Sequence, residues 1–145
     1  MKTLIALPLF FALCGATAYA DLSAVMAENN LEKRSEAAVR HAEQVLKTTR
    51  KAYDAGDMDK AQAGLSEIGE AVELAWKSLE ETGKDPHKKP KYFKKAEIGT
   101  RKLLRRLDAF SREMNVADRP MLESLRKRVS GVSGGARLGV LTSQQ

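Results

Sequence analysis

The sequence predicts an all-α protein: an up-and-down helical bundle of three long helices and one short C-terminal helix, preceded by a signal peptide. Apolar residues recur at alternating spacings of three and four along three long segments, and no segment shows the alternation typical of a strand. Glycine, proline and aspartate cluster between these segments. Apolar stripes of this period pack against other helices at shallow angles, which indicates a bundle.

The first twenty residues, MKTLIALPLFFALCGATAYA, have the three parts of a secretory signal. Lys2 supplies a positive charge and residues 4–14 form a short apolar run. Ala18 and Ala20 provide the small residues of a cleavage site. The apolar run is shorter than the roughly 20 residues that span a bilayer. We therefore expect an exported protein, periplasmic or extracellular, whose mature chain has no transmembrane segment.

A lipoprotein anchor at Cys14 is the alternative to cleavage after Ala20. Such a site requires a small residue immediately before the cysteine, and Leu13 is not small. We therefore expect the mature chain to begin at Asp21. Because Cys14 is the only cysteine of the 145 residues, the mature chain would contain no disulfide, thiolate nucleophile or cysteine metal ligand.

The first helix is expected from Leu31 to Ala55, with Asn29 as its N-cap and residues 21–28 as a loose turn or a backward extension. The second helix is expected over 58–81. Gly56 suits the left-handed position between these two helices, and Asp57 can cap the second one. Segment 57–81 is acidic, with seven Asp and Glu residues against two lysines.

The third helix is expected from Pro90 to about Met114, and a short fourth helix from a cap at Asp118 to Val132. Residues 133–145 would then form a flexible Gly-rich tail. The domain organisation is therefore a signal peptide at 1–20, a bundle at 21–132 and a tail. One core should contain eight apolar residues from three helices: Leu65, Ile68, Val72, Leu103, Leu107, Phe110, Leu125 and Val129.

Residues 52–75, AYDAGDMDKAQAGLSEIGEAVELA, resemble one helix-turn-helix of the tetratricopeptide repeat. The resemblance rests on Ala52, Tyr53, Gly56, Asp57, Lys60 and Ala61 and covers about a sixth of the chain. The sequence has no second copy, and a solenoid of such repeats needs several copies to bury its core. The resemblance therefore implies a tight helix-turn-helix and assigns no peptide-binding residue.

Two shorter pieces, ADLSAVMAENN (20–30) and LKTTRKAY (46–53), are similar to parts of the periplasmic four-helix b-type cytochromes. Met26 would match the axial methionine of that family. Asp54 stands where the axial histidine is expected, so we expect no haem.

Positive charge is concentrated in one segment, because residues 84–112 contain eleven Lys and Arg residues against three acidic ones. On a helical wheel, six of these cations lie opposite the apolar stripe of the third helix. We call these six residues the basic face: Lys91, Lys94, Arg101, Lys102, Arg105 and Arg112. The helical wheel places Ile98 on the same side as these six cations, so we expect its side chain to be exposed.

The basic face has two interpretations. It is a solvated surface that balances the acidic second helix, or it binds lipid head groups, envelope polysaccharide or an acidic protein. The pattern argues against nucleic acid, because Tyr92 and Phe93 lie on the apolar side and cannot stack on bases beside the charges.

The motifs of catalytic, metal and phosphate sites are missing from the sequence. The two histidines are expected to be a packed structural residue (His41) and a solvated loop residue (His87). We expect no catalytic residue, cofactor or metal. The sequence therefore indicates a non-catalytic binding or scaffolding protein, or alternatively a peripheral envelope or membrane-surface binder that acts through the basic face.

Overall fold

The structure is a computed structural model that describes residues 22–142, with side chains through residue 135. It contains five helices: α1 (Leu22–Met26), α2 (Leu31–Asp54), α3 (Met58–Glu81), α4 (Lys91–Glu113) and α5 (Arg119–Thr142). The described residues include no strand, which confirms the all-α prediction. The predicted signal peptide, residues 1–20, lies outside the described residues and stays a prediction.

The connection between α2 and α3 follows the predicted capping chemistry. Gly56 has a φ of +76°, and the Asp57 carboxylate accepts the backbone N–H of Lys60 at 3.2 Å. At the start of α2 the N-cap is Asn30 and not Asn29, and its side chain accepts the backbone N–H of the third residue along. Both asparagines can act as a cap, so the sequence pattern could not separate them.

The prediction of a short last helix is wrong, because α5 continues ten residues beyond Val132. Glycine ends a helix when it adopts the left-handed conformation. In the part of the chain that is described, only Gly56 and Gly83 have a positive φ. Gly134 and Gly135 therefore reduce helix propensity without terminating α5. Whether residues 133–145 are flexible stays a prediction.

Asp118 directly precedes α5, at the position predicted for its cap, and its backbone oxygen accepts the backbone N–H of Met121 at 3.1 Å. Its carboxylate accepts a hydrogen bond from the Tyr53 hydroxyl at 2.8 Å. The backbone N–H of Asn115 donates to the Tyr53 oxygen at 2.9 Å. That bond favours the ionised phenol, but partial burial and the Asp118 carboxylate outweigh it and raise the pKa of Tyr53.

The four long helices alternate in direction, but their order around the bundle is not their order in sequence. α2 lies between α3 and α4, and α5 contacts the same two helices on the other side. α3 and α4 meet across the middle, whereas α2 and α5 do not touch over the described residues. The loop at 82–90 therefore carries the chain across the bundle, and α4 runs parallel to α2.

All eight residues of the predicted core belong to one buried cluster, which confirms that prediction. The cluster also includes Trp76, whose indole N–H donates to the Thr100 hydroxyl at 3.3 Å across the middle of the bundle. A smaller cluster of Val25, Ala38 and Ala75 holds α1 against α2 and α3.

Close approach of α2 and α3 depends on Gly64. A Cβ atom at that position would lie 2.1 Å from Oγ1 of the buried Thr49. The missing side chain of Gly64 on α3 thus lets Thr49 of α2 approach closely. None of the described helices is both long enough and apolar enough to cross a membrane.

Candidate functional site

The six residues of the basic face are all exposed in the structure. Pro90 directly precedes α4, and the opposite side of the helix is buried. Folding therefore leaves the cations outside the core. At a rise of about 1.5 Å per residue, the face extends over roughly 30 Å from Lys91 to Arg112.

Two members of the basic face have ionic partners. Arg101 pairs with Glu97 one turn earlier at 2.6 Å, and Lys102 pairs with Glu43 of α2 at 3.4 Å. The Lys91 ammonium lies 5.3 Å from the centre of the Tyr92 ring. The remaining three residues form no ion pair with any described residue: Lys94, Arg105 and Arg112.

The interpretation in which acidic α3 balances the basic face finds no ion pair between the two among the described residues, because the cross-helix pairs of α3 go to other helices. Its cross-helix pairs are Glu67 with His41, Glu73 with Arg128, and Glu81 with Arg34. The ion pairs of α4 with a neighbouring helix come mainly from α2: Lys95 with Glu36, and Lys102 and Arg106 with Glu43. The reason is topological, since α4 lies beside α2 and meets α3 only across the core.

The pair between Glu73 and Arg128 joins α3 to α5 through two hydrogen bonds. Arg128 Nε lies 2.5 Å from Glu73 Oε1 and Nη2 lies 2.8 Å from Oε2. The guanidinium donors of Arg128 lower the pKa of Glu73 below its ordinary 4.5, and the Glu73 carboxylate in turn raises the pKa of Arg128. The absent side chain of Gly69 makes room for this arrangement, because a Cβ there would lie 2.6 Å from Arg128 Nη1.

Ile98 lies at the centre of the basic face and is 55% exposed. Residues three and four positions away are neighbours on a helix surface. For Ile98 these are four cations: Lys94, Lys95, Arg101 and Lys102. The sequence predicted the exposure of Ile98 among the charges.

A cleft lies beside Ile98, between α2 and α4, and encloses about 370 Å³. Its lining is mainly apolar and includes Val39, Tyr92, Ala96, Ile98 and Gly99. Its polar lining residues are Ser35, Arg40 and two ion pairs between α2 and α4, Glu36 with Lys95 and Glu43 with Lys102.

Sequence reasoning missed this cleft because half of it comes from α2. Gly99 was the available signal, because a glycine inside a helix can mark a close approach. A Cβ there would lie 2.4 Å from Val39 Cγ1.

His41 is buried, as expected for a structural histidine, and its Nε2 lies 2.6 Å from Glu67 Oε1. Its Nδ1 has no hydrogen-bond partner among the described residues. His87 is exposed in the loop at 82–90.

Over the described residues, no group of three or more His, Cys, Asp or Glu side chains is arranged to hold a metal ion. The two positions that the cytochrome resemblance compares with haem ligands are Met26, which is exposed on α1, and Asp54, which is the last residue of α2.

No family model, curated protein or solved structure matches the chain.

Proposed function

We propose that this protein is an exported, non-catalytic binding protein and that the basic face of α4 binds an anionic surface of the cell envelope. The observation that carries the proposal is that six exposed cations lie along one side of α4, and that three of them, Lys94, Arg105 and Arg112, form no ion pair with a described residue. Lys95 and Arg106 of the same helix differ from these three, because each pairs with a carboxylate of α2.

The shape of the basic face favours an extended surface over a small anion. The cations lie along one side of a single rigid helix, so they reach a plane together but do not converge on one point. Each cation close to an anionic membrane contributes about 1 kcal/mol. Phe93 is half-buried against the core, and the half-buried Tyr92 ring lies beneath the ammonium groups of Lys91 and Lys95, so neither ring is free for base stacking.

The test compares two triple variants that remove the same charge from different helices. In the first, Lys94, Arg105 and Arg112 become Gln. In the control, three exposed lysines of α2 become Gln: Lys33, Lys47 and Lys51. Each protein is purified, and mass spectrometry identifies its N-terminus, which we expect at Asp21. Sedimentation with phosphatidylglycerol vesicles and with beads carrying dextran sulfate then measures binding.

We expect the α4 variant to bind at least tenfold more weakly than wild type at low salt, since three contacts of about 1 kcal/mol are removed. The α2 variant should bind nearly as well as wild type. At 1 M salt the screening length falls to about 3 Å, and wild-type binding should weaken strongly. Equal binding by the two variants would contradict a role for the basic face.

A further inference from the structure

We propose that the anionic surface is a lipid bilayer, and that the cleft beside Ile98 receives one acyl chain of an anionic lipid whose head group lies on the surrounding cations. This inference rests on the proposed function and specifies its partner. It combines two observations that a charged face alone does not explain: an exposed isoleucine within the cations, and an apolar cleft that opens next to it.

The cleft has the lining that an alkyl chain requires. Val39, Tyr92, Ala96 and Gly99 present mainly carbon atoms, and Ile98 forms the outer edge on α4. Transfer of apolar surface out of water is favourable and scales with the area removed. A hydrated polysaccharide or an acidic peptide backbone would gain little from such a lining. An acyl chain would gain at every methylene group that enters.

The cations next to the cleft are positioned to contact the anionic head group of the same lipid. Ile98 and Lys102 line the cleft and also lie on the outward side of α4. Lys94 and Arg101 are the remaining outward neighbours of Ile98 on the helix surface. Lys94 pairs with no described residue, so it can contact a phosphate without breaking an ion pair. An occupant with an apolar chain and an anionic head thus complements the cleft and its surroundings.

The volume of the cleft limits the occupant to a single chain. At about 370 Å³ it lies near the lower end of the range for small-molecule sites, roughly 300–1,000 Å³. Gly99 and Val39 approach each other closely, so the two helices leave little room between them at this point of the cleft. The remaining chains of the bilayer would stay in the membrane.

The first experiment separates the apolar contribution from the electrostatic one. Ile98→Gln removes the exposed apolar side chain from the basic face and keeps its charges. Val116→Gln is the control, because Val116 is 75% exposed in the loop between α4 and α5 and lies outside both the basic face and the cleft. We expect Ile98→Gln to weaken binding to phosphatidylglycerol vesicles about fivefold and to leave binding to dextran sulfate unchanged. Val116→Gln should change neither.

The second experiment locates the acyl chain. Phosphatidylglycerol with a spin label on its chain is added to the vesicles, and methyl NMR signals of the bound protein are recorded. The Ile98 and Val39 methyl signals should broaden, whereas the Val116 methyl signals should not.

Each outcome separates the inference from the proposed function. If Ile98→Gln binds vesicles like wild type, or if the label leaves Val39 unaffected, the acyl-chain inference is wrong and charge-based surface binding stands. If wild type binds neither vesicles nor dextran sulfate at low salt, the proposed function fails and the inference fails with it. Circular dichroism melts of the two variants verify that both remain folded.

Discussion

Helices α3 and α4 have nearly the same length and both flank α2, but they use their charges in opposite ways. Ten of the 24 residues of α3 are buried, against five of the 23 residues of α4. α3 packs on α2 and α5, and its cross-helix pairs connect it to both. α4 keeps one broad side in water, and four cations there, Lys91, Lys94, Arg105 and Arg112, lack an ionic partner in the described structure.

The difference shows that net charge along a helix does not indicate what the charge does. The carboxylates of α3 hold neighbouring helices, since Glu67 contacts the buried His41 and Glu73 contacts Arg128. By contrast, Lys94, Arg105 and Arg112 on the outward side of α4 form no ion pair with a described residue. Position in the bundle decides this, because α3 is enclosed by neighbours and α4 is at the periphery.

The largest expected loss of stability comes from the core, where α3 and α4 behave alike. Leu107 on α4 and Ile68 on α3 are both fully buried in one cluster. Either residue changed to Asp would bury an unpaired carboxylate, and we expect a loss of more than about 4 kcal/mol, close to the whole stability of a small domain.

Thermal melts provide the check on these two core variants. Ile98→Asp serves as the control on the exposed side of α4, and it should melt near the wild-type temperature. A wild-type melt for Leu107→Asp would show that α4 turns a different face to the core.

We expect an intermediate loss of stability when a glycine that faces α2 is changed to Ala, and the size of the loss should differ between α3 and α4. In Gly64→Ala the new Cβ meets Oγ1 of the buried Thr49 at 2.1 Å, so we expect a loss of about 1–3 kcal/mol despite the better helix propensity of Ala. In Gly99→Ala the Cβ meets Val39, which borders the open cleft and can turn into it, so the loss should stay below about 1 kcal/mol.

Urea denaturation measures both changes, and Gly131→Ala is the control because nothing lies within 4 Å of its Cβ position. If the clash is the cause, Thr49→Ala should relieve most of the loss in Gly64→Ala. Additive effects in that double-mutant cycle would place the cause elsewhere.

The smallest effect concerns the charges themselves. Glu73 has a lowered pKa in the folded state, so its ionised form contributes stability above the ordinary pKa of 4.5, and this is lost as the pH falls through the folded value. Wild type should therefore exceed Glu73→Gln by about 0.2–1 kcal/mol at pH 7 and by almost nothing near pH 2.

Arg105→Gln on α4 should match wild type at both pH values, because Arg105 has no ionic partner among the described residues. Equal pH dependence of Glu73→Gln and wild type would remove the distinction between structural charges on α3 and free charges on α4.

The fold was largely predictable because the relevant signals are local. The bounds of α3, the left-handed Gly56 and the cap at Asp57 each depend on a few adjacent residues. The eight core residues followed from helical periodicity alone. The end of α5 was predicted wrongly because a glycine ends a helix only in the left-handed conformation. The amino-acid composition of this segment does not reveal which conformation its glycines adopt.

The sequence by itself determined the positions of α2, α3 and α4, which face of each is apolar, and that six cations of α4 share one outward side. These properties depend on the period of the chain and on the chemistry of single residues. Only the tertiary structure decided that α4 lies beside α2, that Glu43 and not an α3 carboxylate reaches Lys102, and that a cleft opens next to Ile98. The physical reason is that several orders of four amphipathic helices can bury the same apolar stripes. The choice among them is made by contacts between residues far apart in the chain, such as Val39 with Gly99 and Thr49 with Gly64.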